Sequence, residues 1–292
     1  MNEKLLTTNF GFLPDKEKAE LLGTEWCFGA ASQTCIAAVP LEKRAQYLPE
    51  GELQNMGEEK SDCVTRAYLN ILETKLTYVY ETQKLMPQNR KWLEDHEYVQ
   101  NGRVVLSDAF NAILSGTTRQ GNSLKAPVDS MHHDGVIPKK LLPQLQTWDE
   151  HNDPARITQK LRDLGQEFLR RLPINYDQVN LTDLDVALKY DMSALGGFAW
   201  PDEVNGEYPR VDYSFNHAFM GYGLPKVYIF DNYVDDDFVK KLAPNYKLFD
   251  YGYRVYISAE RIVDIALPDV TQNTGPIVEN WWTKLLRKLH VK

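Results

Sequence analysis

The sequence has few cysteines, no long apolar run and no excess of positive charge. Three cysteines among 292 residues are too few for the disulfide framework typical of small secreted domains. The 41 acidic residues outnumber the 33 lysines and arginines, so the formal net charge is −8, and we expect no nucleic-acid partner. No apolar stretch approaches the ~20 residues that cross a bilayer, so we expect no membrane span.

The N-terminus also lacks the apolar region of a secretion signal. With so few cysteines, this favours a reducing compartment such as the cytoplasm. Cys27 and Cys35 are eight residues apart, which is not a metal-binding spacing, and no pair of histidines lies near them. We interpret them as buried or incidental thiols, with a disulfide between them as the alternative. We expect neither a metal ion nor another cofactor.

Hydrophobic residues make up 43% of the chain, enough for a substantial core. Helical patterns dominate the first half of the sequence and strand patterns the second, which predicts an α+β fold. We expect four units: 1–62, rich in loops; 63–180, mainly helical; 181–258, mainly strands; and 259–292, a linker followed by an amphipathic helix at 277–289. Further helices are expected at 125–133, 155–172 and 183–190, and strands near 196–200, 217–222, 227–230 and 251–258.

Cys63 is the first candidate for chemistry, because a predicted helix over 63–76 begins at this residue. At a helix N-terminus the macrodipole and unpaired backbone N–H groups favour thiolate over thiol, and the thiolate is the nucleophile. A buried structural thiol is the alternative interpretation. The helix is predicted from apolar residues at helical spacing, namely Val64, Ala67, Tyr68, Ile71 and Leu72.

His217 and Asp231 are the candidate partners of Cys63. His217 follows Cys63 by 154 residues, and Asp231 follows His217 by 14. A cysteine, a histidine and a carboxylate or amide in this order can act as nucleophile, base and orienting group. A core histidine on a strand and a turn-forming aspartate are the plainer alternatives.

Taken together, these residues resemble the papain-like cysteine peptidases (peptidase family C1). Within that family the sequence is most similar to divergent members predicted in tailed-bacteriophage genomes. The motifs that carry the resemblance are Leu48–Gln54, Cys63-Val64-Thr65, Ser115-Gly116-Thr117-Thr118, Asn216-His217-Ala218 and Ile229-Phe230-Asp231.

The resemblance implies a two-lobed fold, with Cys63 on a helical lobe and His217 on a strand-rich lobe. It implies a peptide or protein substrate, an oxyanion donor at Gln54, and substrate binding by the glycine-rich segment that contains Gly121, Asn122 and Ser123. It also implies a location in the host cytoplasm or in a virion.

The sequence departs from the ordinary family pattern around the nucleophile. Ser61-Asp62-Cys63-Val64 stands in place of Gly-Ser-Cys-Trp. The position six residues before the cysteine, where the family has its oxyanion glutamine, is Gly57. Gln54 therefore requires a loop three residues longer, and Asn55 is the alternative. The third member of the family triad is an asparagine, for which Asp231 is the first candidate and Asn232 the second.

Two other functions stay open at this point. One is a cysteine amidase or endopeptidase that cuts peptidoglycan stem peptides, although such enzymes usually place the histidine much nearer the cysteine. The other is a catalytically inactive virion structural protein with a peptidase fold. The C-terminal helix 277–289 carries adjacent tryptophans, Trp281 and Trp282; we expect it either to pack on its own body or to bind a protein partner.

Overall fold

The structure is a computed structural model that describes part of the chain. The described residues are Phe12, 38–180, 184–198, 207–210, 215–233 and 237–257. The expected helix at 277–289, Cys27 and Cys35 lie outside the described residues.

The helices lie mostly in the first half of the chain. Side chains cap several of them: Ser107 Oγ accepts from Phe110 N at the start of the helix at 108–114, and Thr147 with Glu150 forms a capping box. The α-helices are α1 Arg44–Tyr47, α2 Cys63–Glu81, α3 Pro87–Asp95, α4 Asp108–Leu114, α5 Lys125–Asp134, α6 Trp148–His151, α7 Gln159–Arg171 and α8 Leu184–Tyr190. Short 3-10 turns lie at Leu41–Lys43, Lys139–Leu141 and Pro154–Arg156.

The strands form a small hairpin and one large antiparallel sheet. The strands are β1 Val99–Gln100, β2 Arg103–Val104, β3 Ile174–Asn180, β4 Ser193–Gly197, β5 His217–Gly223, β6 Tyr228–Phe230, β7 Val239–Lys241 and β8 Tyr251–Ile257. The hairpin pairs β1 with β2, and the large sheet has the order β3-β8-β4-β5-β6-β7.

Helix α2 is the central element of the fold. It is buried from Cys63 to Val79, and it extends five residues beyond the expected end at 76. Its apolar side chains, such as Leu72, share a core with Met220 of β5 and Val255 of β8. An ion pair also joins α2 to the sheet side, since Lys75 Nζ lies 2.5 Å from Asp191 Oδ2 and donates to Val255 O at 2.6 Å.

Strand β5 is buried at all seven positions because the sheet is covered on both faces. One face packs on α2. The other face packs on α8 through a second apolar cluster of Leu184, Leu188, Leu195, Tyr208, Phe219, Ile229 and Leu242. Gly221 permits this close packing, because a Cβ there would lie only 2.7 Å from Leu195 Cδ1. His217 therefore begins a strand that is held from both sides.

The α+β class expected from the sequence is confirmed, and the fold has two lobes. Helix α5 agrees with the expected 125–133, and it ends at Gly135, whose φ of +78° suits glycine. Strands β3 and β7 were not predicted from the sequence. Strand β3 ends at the expected boundary of the helical unit, yet it pairs along its whole length with β8. Among the described residues, no helix is long and apolar enough to cross a bilayer.

Candidate active site

Cys63 is the first residue of α2, as the apolar pattern predicts, and it is 1% exposed. The residue before the helix, Asp62, does not cap it with its side chain. Instead Asp62 Oδ1 accepts from Arg66 Nε at 2.8 Å, one turn further along. Ser61 has a positive φ of 57°, which turns the chain sharply into the helix. The thiol is thus placed at the N-terminal end of a rigid, buried helix.

His217 lies beside Cys63 and is bound on its other side by Asp231. Its Nε2 is 2.6 Å from Asp231 Oδ1, and both side chains are buried. Asp231 directly follows β6 and is itself fixed: Tyr208 Oη donates to its Oδ2 at 2.9 Å, and the backbone N–H of Tyr233 donates to its Oδ1 at 3.1 Å. The cysteine, the histidine and the carboxylate therefore form one continuous buried group.

Asn232, the second candidate for the third position, is occupied elsewhere. Its Oδ1 accepts from Asn70 Nδ2 at 2.5 Å, and its Nδ2 donates to Glu52 O at 2.9 Å. The ring nitrogen of His217 therefore meets Asp231 and not Asn232.

The pKa values of Cys63 and His217 follow from burial and from each other. The helix N-terminus and the histidine predict a lowered pKa for Cys63, but in this buried site the pKa of Cys63 is raised. Burial raises the pKa of Cys63, and this effect outweighs the lowering by His217. Burial opposes the imidazolium as well, but Asp231 and Cys63 together hold the pKa of His217 well above its ordinary value.

Gln54 is buried, and a backbone hydrogen bond holds it beside Asn232, the residue that follows Asp231. Its N–H donates to Asn232 O at 3.0 Å. Its side-chain Nε2 donates to Glu59 Oε1 at 2.7 Å, and the same oxygen accepts from Ser61 N at 2.8 Å. Asn55, the alternative oxyanion donor, is exposed.

Gly121, Asn122 and Ser123 form a turn that adjoins the loop before Cys63. Gly121 exchanges two backbone hydrogen bonds with Thr118. Asn122 donates within its own segment, to Thr117 Oγ1 among others, and Ser123 Oγ accepts from a backbone N–H in the first turn of α5. These hydrogen bonds lie within the segment and at the start of α5, and a role of the three residues in substrate binding stays a prediction.

The loop 54–61 is held in place by charged side chains. Lys60 is buried, and its ammonium donates to Met56 O at 3.0 Å, to Glu58 O and to Gln146 O at 2.8 Å. Ser61 Oγ donates to Arg119 O at 3.0 Å, which joins the loop to the turn that contains Gly121. These contacts fix the chain directly ahead of the nucleophile.

A buried charge network lies beneath the start of α2. Arg66 bridges Asp62 and Asp108, and His151 Nε2 lies 3.4 Å from Asp62 Oδ2. Burial alone would raise the pKa of Asp62, but Arg66 and His151 lower it to about 2. Asp62, Asp108 and His151 are close enough to hold a metal ion. However, Arg66 already forms an ion pair with each of the two carboxylates.

Two neighbours of the site were not found from the sequence. Tyr208 is isolated in the sequence and reaches Asp231 only through the fold. Glu59 lies in the run Glu58-Glu59-Lys60, which has the pattern of an exposed charged loop. The one feature of the sequence that points to a role for Glu59 at the site is its position four residues before Cys63.

Comparison with solved structures identifies the fold as that of the papain-like cysteine proteases. The chain is similar to the ragweed pollen cysteine protease Amb a 11 in its proform, with a TM-score of 0.50 and 13% identity over 88% of this chain and 76% of that chain. It is also similar to xylellain, a cysteine protease from Xylella fastidiosa, with a TM-score of 0.49 and 14% identity over 86% of this chain and 96% of that one. A third similar structure is procathepsin L2 from the larval midgut of Tenebrio molitor, with a TM-score of 0.48 and 12% identity over 88% and 80% of the two chains. Comparison of the sequence itself finds no matching family model and no matching curated protein.

Proposed function

We propose that this protein is a cysteine peptidase that hydrolyses peptide bonds through Cys63, His217 and Asp231. One observation carries the proposal: a thiol at a helix N-terminus interacts with an imidazole whose other side is bound by a buried carboxylate, 2.6 Å from Nε2. The same fold occurs in cysteine proteases, which supports the reaction class.

In the proposed reaction the Cys63 thiolate attacks the carbonyl carbon of the scissile peptide. The negative charge that develops on the carbonyl oxygen is stabilised by the Cys63 backbone N–H and by the Gln54 amide, and such donors contribute about 10²–10³-fold each to the rate. His217 then donates its proton to the leaving amine, which breaks the C–N bond and leaves a thioester. Water, activated by His217, hydrolyses the thioester and regenerates the thiol.

Asp231 has two tasks in this scheme. It keeps Nε2 of His217 in a hydrogen bond, so that contact with the thiol falls to the other ring nitrogen. It also stabilises the imidazolium that pairs with the thiolate, as a triad carboxylate does in serine enzymes. Tyr208 and the Tyr233 N–H fix both oxygens of this carboxylate, so the histidine is oriented before substrate arrives.

The test combines cleavage of labelled casein with alkylation by iodoacetamide. Cys63→Ala should abolish both cleavage and fast alkylation while the fold is kept. The matched control is the Cys27→Ser/Cys35→Ser double variant, which should keep both. Cleavage that survives in Cys63→Ala, or a wild-type thiol that reacts no faster than free cysteine, would refute the proposal.

The burial and raised pKa of Cys63 favour one competing function, an inert structural protein with a peptidase fold. The same iodoacetamide rate separates the two, because an inert thiol gives no accelerated reaction. Hydrolysis of cell walls in place of casein would instead support the peptidoglycan alternative. Three predictions from the sequence remain: a viral origin, association with a virion, and a protein partner bound by helix 277–289. Truncation after Asn273 tests the last of these, because a helix that only binds a partner can be removed without loss of activity.

A further inference from the structure

Glu59 accepts a hydrogen bond from the side chain that the proposed reaction uses to stabilise negative charge. Its Oε1 accepts from the side-chain amide of Gln54 at 2.7 Å and from the backbone N–H of Ser61 at 2.8 Å. Gln54 is the proposed oxyanion donor, and Ser61 is two residues before the nucleophile. The carboxylate is therefore bonded directly to the group that should bind the carbonyl oxygen.

The second oxygen of Glu59 has no comparable support. Its Oε2 is buried and makes no hydrogen bond with any residue that the structure describes. Burial raises the pKa of this carboxyl, although the Ser61 N–H, the Gln54 amide and the charge of His217 each act in the opposite direction. Glu59 in turn raises the pKa of Cys63. Its charge thus acts on the nucleophile and the base, as well as on Gln54.

Like charges held close together in a buried site repel each other strongly. An ionised Glu59 beside Gln54 opposes the oxyanion of the tetrahedral intermediate. However, its hydrogen bond also holds the Gln54 amide in one orientation. An amide nitrogen carries two hydrogens, so one can stay on Glu59 while the other binds the oxyanion. The orientation of the Gln54 amide favours the reaction, and the negative charge of Glu59 opposes it. A substitution of Glu59 that keeps the hydrogen bond but removes the charge separates the two effects.

We propose that Glu59 is a positioning residue whose negative charge restrains acylation at Cys63: it orients the Gln54 amide and limits the rate until the carboxylate is neutralised or displaced. This inference rests on the proposed function, because it assigns a regulator to the same oxyanion site. It also accounts for the three extra residues between Gln54 and Cys63 relative to the ordinary family spacing, since those residues supply the loop on which Glu59 lies.

The experiment compares two reagents that attack the same sulfur. Acylation by p-nitrophenyl acetate passes through a tetrahedral oxyanion, whereas alkylation by iodoacetamide does not. Glu59→Gln keeps a carbonyl oxygen for Gln54 and Ser61 but removes the charge. We expect it to raise the acylation rate about tenfold, equivalent to about 1.4 kcal/mol. The alkylation rate should change by at most about twofold, because the charge of Glu59 disfavours the Cys63 thiolate but favours the His217 imidazolium, and these two effects offset each other in the ion pair.

The matched control is Glu58→Gln. It makes the same change of charge one residue earlier, on a carboxylate that binds Arg119 and Trp148 N. Both of its rates should equal those of the wild type. Glu59→Met is a second neutral variant, but it offers Gln54 no carbonyl acceptor; its ratio of acylation to alkylation should lie between wild type and Glu59→Gln.

The outcomes separate this inference from the proposed function. If the wild-type thiol is reactive and Glu59→Gln acylates no faster than wild type, the restraint by Glu59 is refuted and the peptidase proposal stands. If Glu59→Gln does not fold, a ratio for Glu59→Met at or below the wild-type value refutes the restraint in the same way. A wild-type thiol without enhanced reactivity removes both proposals.

Discussion

Replacing Asp231 by asparagine should weaken the thiolate–imidazolium pair without disturbing the fold around it. Asparagine has the same shape, and its Oδ1 can still accept from His217 Nε2 and from Tyr233 N, as the carboxylate oxygen does now. Its Nδ2 can donate to Tyr208 Oη, so the tyrosine reverses its role and stays bonded. The substitution thus removes one charge from a buried contact and leaves the hydrogen bonds in place.

The size of the effect follows from the contact between His217 and Asp231. Hydrogen bonds to a charged partner contribute about 1.5–3 kcal/mol, against about 0.5–1.5 kcal/mol between neutral groups. Loss of the charge should therefore cost the imidazolium about 1–2 kcal/mol, and 1.4 kcal/mol is a tenfold change in a population. Asp231 is one of the groups that hold the pKa of His217 well above its ordinary value, so that pKa should fall in the variant.

The assay is the rate of alkylation of Cys63 by iodoacetamide between pH 5 and pH 10.5. Asp231→Asn should react about tenfold more slowly than wild type near neutral pH, because fewer thiolates form. The difference should shrink towards alkaline pH, where the sulfur loses its proton without help from an imidazolium.

Equal rates at neutral pH would refute this account of Asp231. An equal reduction at every pH would also refute it, since that pattern indicates misplacement of the thiol and not a change in ionisation. The control is Asp95→Asn, which removes an exposed carboxylate paired with Lys91 on α3 and should leave the profile unchanged.

Two further predictions concern the stability of α2. Burial raises the pKa of Glu73 to about 8, although its carboxyl accepts from Leu106 N, so the folded chain keeps a proton that the unfolded chain loses. The free energy of unfolding should therefore fall as pH rises from about 4.5 to 8, by on the order of a few kcal/mol. Glu73→Gln should remove that decline in urea titrations at several pH values. A decline that persists in the variant would contradict this assignment. Lys75→Ala should cost about 3–5 kcal/mol of unfolding free energy, because it leaves Asp191 buried without its cation. In Lys75→Met/Asp191→Asn most of that loss should be recovered, whereas an equal loss in both variants would show that packing around Lys75, and not charge, is responsible.

The sequence predicted the parts of the fold that depend on local pattern. The start of α2 at Cys63 follows from apolar residues at helical spacing, and the strand at His217 follows from a short apolar run between turns. Strand β3 was missed because four of its seven residues are polar and most of them are only half-buried. Its pairing with β8 supplies the stabilisation that its own composition does not indicate.

The candidate site divides in the same way. The order of Cys63, His217 and Asp231 is visible in the sequence, and the structure brings these three together. The choice between Asp231 and Asn232 depends on which direction each side chain takes after β6, and adjacent residues give no local signal for that. Glu59 has the pattern of a solvated charge, and only the closure of the loop 54–61 turns it towards Gln54.

The hydrogen bonds of Lys60 determine which solution conditions the loop 54–61 tolerates. The loop is held to Gln146 by an ammonium group that donates to three carbonyls, and its attachment involves no sulfur–sulfur bond. A thiol reductant added to keep Cys63 from oxidising therefore leaves these hydrogen bonds intact. Base acts differently: burial already lowers the pKa of Lys60, and once the ammonium loses its proton, fewer N–H donors remain for the same carbonyls. We therefore expect the loop ahead of the nucleophile to keep its position in reductant and to be held less firmly in alkali.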